Sequence, residues 1–293
     1  MEVIVPISAL GLLFLAAILH ASYHLFYKRS LDKQVFAWCL LLVTVAAYFP
    51  LFVARPLSLP PLGWACVLVS GLAEVAYFAS MGKTYQMGDL SVAYPLARGS
   101  APLFITLWAT LFLREQLTAL GLMGILLIAG GLYLINARSW GELWKPLRQL
   151  GNPVSRWALL TGLCISVYST IDKVGTRYVP TFTYVYLVLL VTFLVFTLYI
   201  LVSGKKASIA AEWRANKVGI LVAGVADLLI YYLVLQALQL SYVSYVGSVR
   251  EMSVVFGAFL GSALLREGYG RLRVFSSVLV FLGILLIGVA GGT

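Results

Sequence analysis

The chain has 293 residues, 61% hydrophobic and only 11% charged, with a mean hydropathy of +0.96. A soluble domain is about half apolar and a quarter charged, so a water-soluble fold is excluded. The net charge of +10 and pI of about 9.6 do not point to nucleic acid, because the Lys and Arg fall almost wholly in short connections between apolar blocks, the pattern of membrane topology.

Apolar blocks bounded by charge, Pro and Gly predict ten α-helical spans at roughly 4–26, 34–53, 62–82, 91–112, 118–136, 156–177, 181–203, 217–239, 242–265 and 272–290. Each is near the ~20 residues that cross a hydrocarbon core of about 30 Å. The blocks are rich in Leu, Ala, Gly and Val and do not alternate, so helices follow and a β-barrel does not. The first block is preceded by Met1 and Glu2 without a basic segment and reads as a retained helix, not a signal peptide. It carries His20 and His24, four apart and on one helical face. No Glu completes a His-Glu-x-x-His arrangement and no third ligand is evident, so a metal is not expected. A pathway-lining role, titrating near neutral pH, or simple packing stays open.

Span three holds Glu74, and span four holds Tyr94, Pro95, Arg98, Gly99 and Pro102. The two prolines remove backbone hydrogen bonds around Gly99 and predict a loosened helix there. The connection from Ala137 to Ser155 contains Arg138, Lys145, Pro146, Arg148, Asn152 and Pro153, which is linker chemistry. It divides the chain into a first repeat (1–137), a basic connecting loop (138–155) and a second repeat (156–293). Span eight holds Asp227 and Tyr231. Span nine holds Gly247, at the position equivalent to Pro95, followed by Arg250 and Glu251. Cys39, Cys66 and Cys164 lie inside apolar blocks and read as small buried hydrophobes. The glycines of spans five and ten favour close helix contact.

Tallied by face, fifteen of the 21 Lys and Arg fall on one side of the membrane. The other side receives Arg55, Arg114, Lys173 and Arg177, while Arg98 and Arg250 lie within spans. By the positive-inside rule the rich face is cytoplasmic and both termini are outside. The expected location is a bacterial-type inner membrane.

At an offset of 152, Arg98 falls on Arg250, Leu113 on Leu265, and Arg114-Glu115 on Arg266-Glu267; with one residue of slippage Glu74 falls on Asp227. Five spans per half is an odd number, so the second half enters the membrane from the opposite face. These are inverted repeats, a construction that places a transport site near the midplane at the repeat interface.

The stretch from Val92 to Pro102 and on to Leu113-Arg114-Glu115, its partner from Val249 to Val255 and on to Leu265-Arg266-Glu267, and His20 to His24 with Lys28 resemble the EamA family of the drug/metabolite transporter superfamily. The resemblance covers essentially the whole chain. It implies an all-α membrane protein of ten helices, as two inverted five-helix repeats carrying small metabolites.

Ionisable groups at mid-bilayer cost about 2.5 to 3.5 kcal/mol each on insertion scales, so Glu74, Asp227, Arg98, Arg250 and Glu251 are expected to face a cavity or one another. Burial favours the neutral form of a carboxyl, so Glu74 and Asp227 suit proton coupling or an ammonium site, or else a static ion pair. Arg98 and Arg250 suit a substrate carboxylate or phosphonate, or equally an internal acid. Glu251 has Gly99 at its matching position and is a counter-ion of Arg250 or a neighbour. Tyrosines within spans, Tyr94 and Tyr231 among them, could wall a site for a cationic amine or serve as interfacial anchors.

The expectation is a secondary carrier of a small polar or zwitterionic metabolite, such as an amino acid or aminophosphonate, working by alternating access, either coupled to protons or by exchange, with no cofactor. Rivals are an exporter of organic cations, a membrane-embedded enzyme and a non-transporting subunit. The enzyme reading lacks a nucleophile or metal constellation.

Overall fold

The computed structural model describes residues 5–87, 90–135, 141, 144, 148, 150–265 and 271–290. These form eleven α-helices and no strand: α1 (Ile7–Arg29), α2 (Lys33–Val53), α3 (Pro61–Met87), α4 (Leu90–Phe112), α5 (Ala119–Leu134), α6 (Pro153–Gly175), α7 (Thr181–Val202), α8 (Lys206–Leu240), α9 (Val243–Val249), α10 (Met252–Leu265) and α11 (Arg271–Val289). Six of them are long and apolar enough to cross a membrane, and three shorter apolar stretches accompany them among the described residues. The linker and the Arg266-Glu267 pair lie largely or wholly outside the described residues.

Helix starts are set by local chemistry. Asp32 accepts from the backbone N–H groups of Gln34 and Val35, Thr118 from that of Gly121, and Asn152 from that of Val154 with Pro153 next in line, each satisfying a donor that the first turn leaves open. The end of α4 is more unusual. Arg114 sits at φ 55, a left-handed conformation costing about 1–2 kcal/mol in a non-glycine residue, and it turns Glu115 into the protein.

Polarity is arranged inside out. Leu111, Leu126, Leu198, Val202 and Leu285 are exposed, while Ser70, Glu74, Arg98, Asp172, Glu212 and Glu251 are buried, as expected when the surroundings are hydrocarbon and charges must face one another.

Packing follows a pseudo-twofold rule. Helix α6 of the second repeat packs on α3 and α4 of the first; correspondingly α1 of the first packs on α8 and α10 of the second. Helices α5 and α11 meet each other, and so do α2 and α7. The α5–α11 contact keeps the rule residue by residue at the offset of 152. A Cβ on Gly131 would lie 2.8 Å from the Ser276 carbonyl oxygen, and one on Gly283 would lie 2.5 Å from the Gly124 carbonyl oxygen. Gly131 matches Gly283 and Gly124 matches Ser276, so the two close approaches are one contact made twice within a single chain.

Two elements differ from the sequence expectation. Helix α8 begins at Lys206 instead of 217, with a kink at Asn216 (φ −129, ψ 21). The Ala-rich stretch from Lys206 is made of good helix formers, and the Asn216 side chain donates to Glu212 at 2.6 Å. The expected looseness of span four, at Pro95 and Gly99, is not where the discontinuity falls: α4 runs unbroken from Leu90 to Phe112. Span nine is interrupted instead, at Arg250–Glu251, three residues beyond Gly247. There Glu251, Ser253 and Val254 donate to the carbonyls of Ser248, Arg250 and Glu251, a run of i to i+3 bonds that tightens the turn. Gly247 lies inside α9, where a Cβ would meet Ile105 at 2.6 Å, so it is a packing glycine. Gly99 is similar, its Cβ position 3.3 Å from the Ala129 carbonyl oxygen.

Candidate functional site

A cavity of about 110 Å³ opens between the halves, room for several waters or a small organic group. Glu74, Tyr77, Arg98, Tyr168, Asp227, Tyr231, Arg250 and His20 line it, and the lining continues to Tyr27 and Met81, near the last turns of α1 and α3. Six residues singled out in the sequence therefore meet in one space, from α1, α3, α4, α8 and the α9–α10 turn. Glu251 lies behind them, and Gly99 and Gly247 lie in helix contacts. The side chains of His24, Tyr94 and Pro95 are outside the described residues.

Arg98 donates through Nη1 to Glu251 at 3.2 and 3.4 Å, and Arg250 Nε lies 3.6 Å from the same carboxylate. Glu251 is thus shared between an arginine of each half, and it is 1% exposed. The Arg250 guanidinium also lies over the Tyr168 ring, 5.5 Å from its centroid, a favourable cation–π arrangement. Across the cavity Glu74 accepts from Thr192 at 3.2 Å.

Two atoms stand out. Asp227 Oδ2 and Arg250 Nη2 are buried and have no hydrogen-bond partner among the described residues. Burying a charged group without partners is costly, and these two, of opposite sign, belong to residues lining the same cavity. The repeat explains the second one. Arg98 pairs with residue 251; the equivalent pairing for Arg250 is with residue 99, a glycine. Arg250 therefore shares Glu251 with Arg98 and has no acid of its own at the symmetry-related position.

Sequence reasoning missed several buried charges. Asp172 is 1% exposed and accepts from Ser70 at 2.5 Å, Tyr184 at 3.0 Å and Tyr231 at 2.6 Å. Its neighbour Lys173 donates to the carbonyls of Leu238 and Ser241, at the C-terminal end of α8 where a cation is favoured. The position of Asp172 at an offset of 152 from His20 was the signal available.

The two ends of the bundle are closed by different contacts. At the end of α4, Glu115 accepts from the backbone N–H of Val243 at 2.6 Å, that of Ser244 at 3.2 Å and the Ser244 hydroxyl at 2.6 Å, capping α9 in the other half. At the opposite end Glu212 accepts from the Asp32 backbone N–H at 2.8 Å, and Lys205 pairs with the Asp32 carboxylate.

In fold, the chain is similar to a crystal structure described only as that of a protein, with TM-score 0.73 and 17% identity over 95% of this chain and 96% of that one. No curated protein matches it. The model of the EamA-like transporter family matches twice in succession, over residues 7–137 and 154–289. With most of its length covered by these two matches, the chain is a multi-pass membrane protein belonging to the EamA-like transporter family.

Proposed function

We propose that the protein is a secondary carrier of a small zwitterionic metabolite, an amino acid or aminophosphonate in kind, working by alternating access between two inverted five-helix halves. The single observation that carries this reading is a pair of buried atoms on oppositely charged residues lining one cavity, Asp227 Oδ2 and Arg250 Nη2, neither with a hydrogen-bond partner among the described residues. A substrate carboxylate or phosphonate takes the place of the counter-ion that Gly99 lacks, and its ammonium group meets Asp227. Tyr77 and Tyr168 supply apolar walls with a polar edge. Glu74, hydrogen-bonded by a neutral hydroxyl, is the coupling carboxyl, taking up a proton on one side and releasing it on the other.

Pseudo-twofold packing, with α1 and α6 exchanging partners, supports inversion, because five spans per half reverse the direction of entry. The excess of Lys and Arg in alternate connections favours both termini outside an inner membrane.

Thermal unfolding of the detergent-solubilised protein with zwitterions, simple carboxylates and quaternary amines tests the reading, because a ligand stabilises the state it binds with the logarithm of its excess over Kd. Zwitterions are expected to raise the midpoint. Stabilisation and saturable flux for hydrophobic cations alone would establish the organic-cation exporter instead.

A further inference from the structure

Asp172 does not line the cavity; it stands one layer behind the wall. Its contact with the cavity is Tyr231, a lining residue whose hydroxyl donates to Asp172 Oδ2 at 2.6 Å and also stands beside Glu74. The other oxygen, Oδ1, accepts from Ser70 and Tyr184. All three hydrogen-bond partners are neutral hydroxyls, groups that can donate or accept as the carboxyl changes state. This differs from Glu251, which two arginines hold. One turn further along α6, the Thr176 hydroxyl donates to the Asp172 carbonyl oxygen. Thr176 lines an open depression together with Arg55, Arg177 and Gln236. Asp172 therefore stands behind Tyr231 of the cavity wall, one turn before the Thr176 that lines the depression.

We infer that Asp172 is a second proton-binding site of the carrier, placed to exchange a proton with Glu74 through the Tyr231 phenol and so to link the cavity with the face that carries Arg177. This rests on the reading of Glu74 as the coupling carboxyl. In the outward hop, the Glu74 carboxyl gives its proton to the phenol oxygen as the phenol passes its own to Asp172 Oδ2. Only O–H bonds break and form, and one positive charge moves.

The groups facing Asp172 from its neighbours are Cys66, Ser70 and Glu74 on α3, Tyr184 on α7, Tyr231 on α8 and Arg250 after α9. Lys173, on its own helix, is turned to the α8 carbonyls. At the equivalent place in the first half stands His20, which lines the cavity directly. In inverted halves these two positions lie on opposite sides of the midplane, so each half brings one titratable group to its own side.

The test is an infrared pH titration of the full chain in liposomes, without substrate, reading the carbonyl stretch of protonated carboxyls. Asp172→Asn is expected to lose one titrating band and Glu74→Gln a different one. Tyr231→Phe should keep both but move their midpoints, because the link between them is cut. An Asp172→Asn spectrum superimposable on wild type over the whole range overturns the proposal. Should that variant not fold, Ser70→Ala removes one donor from Oδ1 and must displace the band; an unmoved band overturns the proposal equally. Zwitterion stabilisation is measured separately. Its loss with the Asp172 band intact refutes the carrier reading, and the reverse result refutes the proton site.

Discussion

Arg98 and Glu251 pair across the two halves at 3.2 Å, and the residue that symmetry would offer Arg250 in the same role is Gly99. The same repeat thus gives both arginines one shared acid, Glu251, and leaves Arg250 Nη2 without a hydrogen-bond partner among the described residues.

Arg250→Gln should keep the fold and lose zwitterion binding. A hydrogen bond to a charged group is worth about 1.5–3 kcal/mol, or roughly 10- to 100-fold in affinity. Isothermal titration with the stabilising zwitterion measures it; unchanged affinity would move the anion site elsewhere.

Glu251→Gln should act on stability more than on binding. It strips Arg98 of its buried counter-ion, and breaking such a pair from one side costs about 3–5 kcal/mol. The expected outcome is a lower thermal midpoint for Glu251→Gln than for Arg250→Gln, measured in the same detergent.

Glu74→Gln and Asp227→Asn should each abolish uphill uptake into proteoliposomes while leaving the thermal midpoint near that of wild type. Asp227→Asn should also weaken binding, since it removes the ammonium partner; Glu74→Gln should leave equilibrium counterflow intact. Gradient-driven uptake at wild-type rate in both variants would remove the coupling role.

Gly283→Val should separate α5 from α11. Its Cβ would lie 2.5 Å from the Gly124 carbonyl oxygen, a backbone atom that cannot swing aside, and overpacking costs about 1–3 kcal/mol. Gly131→Val, the symmetry mate, should cost a similar amount. Monodispersity and thermal midpoint read both.

Single cysteines at Arg177 and Lys205, in a background lacking the three native ones, should label from opposite sides of intact cells, Arg177→Cys from outside. Labelling of both from one side would undo the proposed orientation.

Much of the site was legible because charge inside an apolar block is rare and its recurrence at one offset is rarer. Glu74, Arg98, Asp227 and Arg250 could be found that way, and they share one cavity. Asp172 was passed over, since it precedes Lys173 close to the end of its span and resembles an interfacial charge, and its repeat partner His20 is not an acid; the contacts to Ser70, Tyr184 and Tyr231 give it depth. The break in span nine was misplaced for a related reason. Pro and Gly announce flexibility in sequence, whereas the turn at Arg250–Glu251 is where Arg98 and Arg250 converge on the Glu251 carboxylate, a tertiary demand that no local residue type signals. The helical stretch before Asn216 was read as a connection because its Lys and Arg were counted for topology and its alanines were not counted for propensity.

The two closures of the bundle differ in how they meet dissolved salt. Lys205 and Asp32 keep 17% and 23% of their side chains exposed, so dissolved ions reach the pair and weaken its attraction in part. Glu115, 8% exposed and held by backbone amides and a hydroxyl, is shielded from that atmosphere. A rise in ionic strength therefore weakens the contact at the Asp32 end more than the one at Glu115, so the two ends of the bundle answer differently to the salt around them.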